Sequence, residues 1–265
     1  MKKYLMGIVG VLALTATGPA GAADMPLKAP ALAAPTFNWN RCYFGGHVGW
    51  GWGKDTNDFG KAIASGPTES FEAFPAEFGP FDHNTRGGVA GIQAGCNHQW
   101  AGNWLVGIEG EFFGTGIKGS ATAPEDGADP GTFSAFESRN LWDFDLAVRV
   151  GMLFNANQDL LYVKGGGVLS RFRYTESHDD FPSTHACPNF GTCSVTLDQT
   201  VGGFLVGVGW EHVIMIPNLT FKAEWDFIGY PTHSVAYPSA GATIQNFGVK
   251  DSKSIIKVGV NFYFP

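Results

Sequence analysis

The chain has 265 residues, 44% hydrophobic, 14% aromatic and 15% charged, with 37 glycines, 22 phenylalanines and 8 tryptophans. Soluble domains usually carry about a quarter charged residues and about 7% glycine, so this composition argues against an ordinary soluble α/β enzyme and for closely packed strands with an aromatic surface. The net charge of −7 leaves no basic footprint for nucleic acid.

Met1-Lys2-Lys3 is a basic start, residues 4–17 are mostly apolar, and Gly18-Pro19-Ala20-Gly21-Ala22-Ala23-Asp24 supplies small residues for cleavage. Residues 1–23 therefore read as a secretory signal peptide, cut after Ala22 or Ala23, with an apolar run too short to cross a bilayer. Losing Lys2 and Lys3 takes Lys+Arg from 17 to 15 against 24 acidic residues, a mature charge of −9. No later stretch approaches the roughly 18 apolar residues of a membrane helix, so the mature chain is either soluble or crosses a membrane as strands. Residues 24–40, rich in Pro and Ala, read as an extended periplasmic linker, and residues 41–265 as the folded domain.

From there the chain alternates with a period of two, the signature of strands. Residues 42–52 set Phe44, Val48, Trp50 and Trp52 against Tyr43, Gly45, His47, Gly49 and Gly51. Residues 88–99 set Ala90, Ile92, Ala94 and Cys96 against Gln93, Gly95, Asn97 and Gln99, and a tight turn leads to residues 104–113, where Trp104, Val106, Ile108 and Phe112 oppose Gly107, Glu109 and Glu111. Residues 142–154 carry an unbroken apolar face from Trp142 to Phe154. Residues 160–174 alternate more weakly, around Lys164 and glycines 165–167. Residues 200–212 oppose Phe204, Val206, Val208 and Trp210 to Gly203, Gly207, Gly209 and Glu211. Residues 219–228 oppose Phe221, Ala223, Trp225 and Phe227 to Lys222, Glu224 and Asp226. The last strand sets Ile256, Val258, Val260, Phe262 and Phe264 against Lys253, Lys257, Gly259, Asn261 and Tyr263, with Ile255 as an exception.

The eight segments are joined alternately by long and short connections, with residues 54–86, 116–138, 175–198 and 230–251 read as the long loops. Short turns at one end, long loops at the other and an even strand number describe an eight-stranded antiparallel outer-membrane barrel. The faces agree. The apolar face lacks charge on most strands, whereas one charge at the bilayer midplane would cost about 2–4 kcal/mol. The other face combines glycine with Glu109, Glu111, Asp143, Asp145, Glu211, Glu224 and Asp226 and with Arg149, Lys164, Lys222 and Lys257. Eight strands enclose an interior that side chains just fill, so these charges are expected to pair across the lumen, lipid being the outer partner. A soluble, ligand-binding barrel in the periplasm or secreted is the alternative, and a narrow porin for small solutes is another.

The leader, the Pro-rich segment, Phe37-Asn38-Trp39 and Cys42-Tyr43-Phe44-Gly45-Gly46-His47-Val48-Gly49-Trp50-Gly51-Trp52-Gly53 resemble the start of small alphaproteobacterial outer-membrane proteins: the immunogenic, RopB-like, porin-family barrels, related in architecture to OmpA and OmpX. Gly91-Ile92-Gln93-Ala94-Gly95-Cys96-Asn97, Val148-Arg149-Val150-Gly151, Tyr162-Val163-Lys164-Gly165-Gly166-Gly167, Phe221-Lys222-Ala223-Glu224-Trp225 and Val258-Gly259-Val260-Asn261-Phe262 are similar to the family's strand motifs in the same order. The resemblance implies a Gram-negative outer-membrane location, assembly by the barrel-assembly machinery, no catalytic residues and no cofactor. Family members end on an aromatic residue, whereas Pro265 follows Phe264 here.

Four cysteines face an oxidising compartment. Cys187 and Cys193 bracket a small ring in the third long loop, and a disulfide there is expected. Cys42 and Cys96 fall near the short-turn ends of neighbouring strands on the same outward face. Sequence fixes no register, so they are a cross-strand disulfide or two small outward residues. His178-Asp179-Asp180 with His185 could hold a surface metal or haem but reads better as solvated loop, and His47 reads as a neutral lumen residue. Paired carboxylates can serve acid/base chemistry, but in a charged barrel core they read as halves of ion pairs. No metal site is assigned, and any ligand of the long loops is unspecified.

Overall fold

A computed structural model describes residues 37–58, 81–100, 102–124, 133–178, 193–237 and 245–265. Within them every regular element is a strand: β1 (Cys42–Asp58), β2 (Phe81–Trp100), β3 (Trp104–Thr115), β4 (Lys118–Pro124), β5 (Phe133–Phe154), β6 (Asp159–His178), β7 (Cys193–Val213), β8 (Leu219–Gly229), β9 (His233–Tyr237) and β10 (Gln245–Tyr263). Each pairs antiparallel with its neighbours, and β1 pairs both β2 and β10, so the sheet closes on itself. Closure removes the edges that a terminal strand would expose. Eight strands make the ring. Of the ten in the sheet, β4 continues β3 after a break at Gly116-Ile117 and pairs β5, and β9 continues β8 and pairs β10. The ladder's last rung is the Phe264 amide donating to the Cys42 carbonyl at 3.0 Å. Pro265, with no N–H, stands beyond it.

Three connections are short. Their backbones take left-handed φ at Gly102 (71°), at Asn155, Ala156 and Asn157 (51°, 53° and 64°) and at Asn218 (61°). Glycine and asparagine bear this conformation best.

At the opposite end the strands run further than the alternation shows. Residues 54–58, 81–86, 118–124, 133–138, 175–178, 193–198, 233–237 and 245–251 are strand, not loop. The reason is physical. Outward residues there are polar (Lys54, Asp82, Arg86, Lys118, Arg139, Arg173 and Lys250), so no apolar period marks the strand, while backbone pairing continues regardless. In β5 a register shift between Asn140 and Trp142 also reverses the face parity. Outward positions are even below it and odd above it, so the pattern that ends at Trp142 hides the strand's upper half. The signal peptide, the linker up to residue 36 and residue Cys187 lie outside the described residues, as does the pairing proposed for Cys187 with Cys193.

The outward faces form an apolar belt around the ring. Phe44, Trp50, Trp104, Ile108, Phe144, Val148, Val163, Val206, Trp225, Ile256 and Val260 are all among its exposed side chains. In water such a surface would be an aggregation hazard. Facing lipid it needs no covering.

Candidate functional site

The interior is stacked in three layers. At the short-turn end, Tyr43, Leu105, Leu153, Leu160, Tyr162 and Tyr263 pack around Trp39, which is 0% exposed. Trp39 donates its indole N–H to the Asn157 carbonyl at 2.9 Å and meets the rings of Phe37 and Tyr263 edge-on, at centroid separations of 4.9 and 5.6 Å. The residues just before β1 thus cork the barrel's end. Sequence offered one signal of this, an aromatic pair breaking a Pro/Ala segment.

The middle layer is ionic. Arg149 reaches Glu211 at 3.3 Å and Glu109 at 3.5 Å, and its Nε donates to Asn97 Oδ1 at 2.9 Å. Its guanidinium lies over the rings of Tyr43 and Tyr162, 4.7 and 5.0 Å from their centroids. Lys164 meets Glu224 at 2.7 Å, Glu111 and Asp226 at 3.4 Å and Glu109 at 3.5 Å. Lys222 meets Glu111 at 2.8 Å and Glu109 at 3.4 Å. Lys257 meets Glu111, Asp226 at 2.6 Å and Glu224 at 2.9 Å. All these side chains are 0% exposed. Neutral donors complete the carboxylates: Tyr43 donates to Glu109 and Tyr162 to Glu224, each at 2.6 Å, while Thr220, Asn261 and Tyr263 converge on Glu211 Oε1. Glu109, Glu111 and Glu224 lie close enough to share a cation, and the lysine ammonium groups already fill that role. Glycines make the room: a Cβ on Gly209 would run into the Tyr162 ring, and one on Gly95 into the Tyr43 hydroxyl.

Of the charges singled out in the sequence, two stand apart. Asp145 is buried, and both its oxygens lack a hydrogen-bond partner among the described residues. Asp143 leaves the network for Lys253, 2.6 Å away, in the layer above. His47 is buried with its Nδ1 2.7 Å from Gln93 Oε1.

The upper layer joins an apolar cluster, including Val89, Phe113, Ile117, Phe172 and Ile255, to polar groups that the sequence reading placed in loops. Asp55 and Asp251 are register partners on β1 and β10. Ser138 donates to Asp55 at 2.5 Å and lies 2.8 Å from His83 Nε2, and Tyr174 donates to Asp251 at 3.0 Å. Asp55, His83, Ser138 and Asp251 were missed because the outward face is polar at that height and the inward face mixes them with apolar residues such as Phe136 and Val249, so no apolar period marks their strands. A small cavity beside them is lined by Asp55, Thr85, Tyr230, Asp251 and Lys253. Of the histidine cluster, His178 ends β6, and Asp179, Asp180 and His185 lie outside the described residues.

On the outside of the short-turn end, Cys42 and Cys96 are register partners joined by a disulfide, 54 residues apart in sequence.

No family model matches the chain. It is 29% identical over 236 residues to the 31 kDa outer-membrane immunogenic protein of Brucella melitensis, covering 85% of each chain, and equally to that of Brucella suis. Solved structures with a similar course include Ail, the attachment invasion locus protein of Yersinia pestis (10% identity, 84% of this chain and 99% of that one, TM-score 0.33). OprG of Pseudomonas aeruginosa is another (10%, 85% and 98%, 0.42), as is the outer-membrane protease OmpT of Escherichia coli (11%, 88% and 99%, 0.42). With its closed ring, its apolar belt and its likeness to the Brucella immunogenic proteins, the chain is an integral β-barrel protein of the Gram-negative outer membrane.

Proposed function

We propose that this protein is a sealed barrel that serves the envelope as a structural element and works through its outward-facing end, not as a solute channel. The observation that carries this is the continuous filling of the lumen: Trp39 with Phe37 at one end, the ionic layer in the middle, the Phe113–Ile255 cluster above. Eight-stranded barrels leave an interior that side chains fill, and here the filling is cross-linked by ion pairs from six strands. The first strand starts and the last strand ends at the short-turn end, and barrels of this kind keep their short turns in the periplasm and their long connections outside. Residues 1–23 direct export, and the barrel-assembly machinery inserts the mature chain.

The same reading makes the protein a non-enzyme. Ser138, His83 and Asp55 come together, but the serine hydroxyl and the Asp55 carboxylate both approach Nε2 of His83, at 2.8 and 3.3 Å. A hydrolytic triad needs them on opposite ring nitrogens, so that the histidine relays a proton between them. All three side chains are also buried, away from substrate.

Planar-bilayer recording of the refolded mature chain tests the sealed reading. No steady conductance is expected. A reproducible ohmic step would replace it with the narrow-porin reading.

A further inference from the structure

Above the apolar belt, four neighbouring strands turn basic at one height. The ladder sets Arg86 of β2 opposite Lys118 of β4, Lys118 opposite Arg139 of β5, and Arg139 opposite Arg173 of β6. All four point outward and are exposed. Arg173 is held in a fork by Asp198, at 2.7 and 2.9 Å. The side chains of Arg86, Lys118 and Arg139 meet no carboxylate or other acceptor among the described residues. The nearest outward acid on the same strand as Arg139 is Glu137, two positions higher. Like charges directly opposite one another on paired strands destabilise them, so this row is a cost unless an anion lies across it. Beyond Arg86, by contrast, Lys54 is paired with Asp82.

A second feature lies directly beneath. The outward positions of β2 and β3 there are nearly bare: Gly88 and Ala90 on one, Gly114 on the other, followed by Gly116 in the break after β3. A Cβ on Gly114 would meet nothing within 4 Å, and one on Gly116 only the Gly88 carbonyl at 3.7 Å. This strip has walls. Trp50 is the register partner of Gly88 and Trp142 of Gly114. Ile92 and Phe112, opposite each other, close it below. The result is a shallow apolar slot in the lipid-facing wall with three unpaired cations at its upper end, where the belt gives way to the headgroup layer.

We propose that this is a seat for one phosphate-bearing lipid of the outer leaflet, with its phosphates across Arg86, Lys118 and Arg139 and the first part of an acyl chain in the slot between Trp50 and Trp142. Guanidinium and ammonium groups match phosphate oxygens, and the slot favours a lipid over a free ion, which would use the cations alone. The inference rests on the orientation argued above, with the long connections outside.

The test uses the full mature chain refolded in neutral detergent. Diphosphoryl lipid A, supplied in phosphatidylcholine bilayers, and inorganic phosphate alone are the probes, and retained lipid is read by native mass spectrometry. Wild type is expected to retain one diphosphoryl lipid. Each cation near the surface contributes about 1 kcal/mol to anionic-lipid binding, so Arg86→Gln/Lys118→Gln/Arg139→Gln weakens retention about a hundred-fold. Gly114→Leu keeps the cations but blocks the slot, so it weakens lipid retention and leaves phosphate binding unchanged. The triple variant relieves repulsion and should keep its heat-modifiable gel shift in neutral detergent; should it fail to fold, Gly114→Leu and Arg139→Gln alone carry the test. Lipid held as tightly by the triple variant as by wild type overturns the proposal. So does displacement by phosphate with no effect of Gly114→Leu, which would make this a bare anion site. Cleavage of a protease site placed within residues 59–80 on whole cells reports orientation separately, so a failure there falls on the functional reading and not on the lipid seat.

Discussion

Arg149→Met is the sharpest probe of the lumen. The guanidinium is fully buried between Glu109 and Glu211 and over two tyrosine rings. Removing one partner of a buried ion pair leaves an uncompensated charge and typically costs about 3–5 kcal/mol. Glu109 would keep Lys164 and Lys222 at 3.5 and 3.4 Å, whereas Glu211 has no other cation among the described residues, so the loss concentrates on Glu211. If the lumen were hydrated, an ion pair at such a distance would be worth only about 1 kcal/mol, and the substitution would hardly register. Urea unfolding in detergent, followed by the heat-modifiable gel shift, separates the two cases. The account expects Arg149→Met to lose about 3–5 kcal/mol. Adding Glu211→Gln should restore a good part of it, because the amide keeps Oε1 for Thr220, Asn261 and Tyr263 and removes the stranded charge. A single variant within about 1 kcal/mol of wild type, or a double variant no better than the single, refutes the sealed ionic layer.

Asp145→Asn should leave stability within about 1 kcal/mol of wild type or raise it, since neither carboxylate oxygen is satisfied and an unpaired buried charge only costs; the same unfolding assay reads it. Cys42→Ala/Cys96→Ala opens a covalent loop between residues 54 apart and should lower the unfolding midpoint by the equivalent of about 2–4 kcal/mol, an effect that reductant mimics in wild type but not in the variant. His233, on β9 above the belt, has its pKa lowered by burial. Its neutral form is the one the fold favours, so its contribution is intact above the unfolded value of about 6.5 and is lost as pH falls through the lower folded value. Stability measured from pH 7 downward should therefore fall more steeply in wild type than in His233→Gln, and parallel curves would contradict that assignment.

Which parts of this molecule the sequence reveals follows from where its two solvents differ. Between Trp50 and Phe44, or Ile256 and Phe264, one face meets hydrocarbon and the other a charged lumen, so residues sort by polarity and the strand, its faces and the ring size can be read directly. Above the belt the outward face turns polar and the inward face mixes apolar residues such as Phe136, Val235 and Val249 with polar ones, so neither face sorts by polarity. Asp55, His83, Ser138 and Asp251 share the inward face with residues such as Phe136 and Val249, so no clean apolar period announces their strands, and the shift at Asn140/Trp142 removes the period itself. Contacts across the lumen are harder still. That Arg149 meets Glu211 and Asp143 meets Lys253 depends on strand stagger, which alternation does not encode, and the same stagger decides that Cys42 faces Cys96. Trp39 precedes the first strand, and only its pairing with Phe37 at the end of a Pro/Ala segment hints at a cork.

The claim on which everything else depends is that the aromatic face meets lipid and the charged face the lumen. The tryptophans report on it directly. Two variants, one keeping Trp225 alone and one keeping Trp39 alone, would be refolded into bilayers of brominated phosphatidylcholine and their emission compared with that in unbrominated lipid. Trp225, 41% exposed on the outer face, should be strongly quenched, and Trp39, 0% exposed within the ring, should not. Equal quenching of the two, or quenching of Trp39 alone, would mean that the barrel is inside out or not inserted, and the account would fall with it.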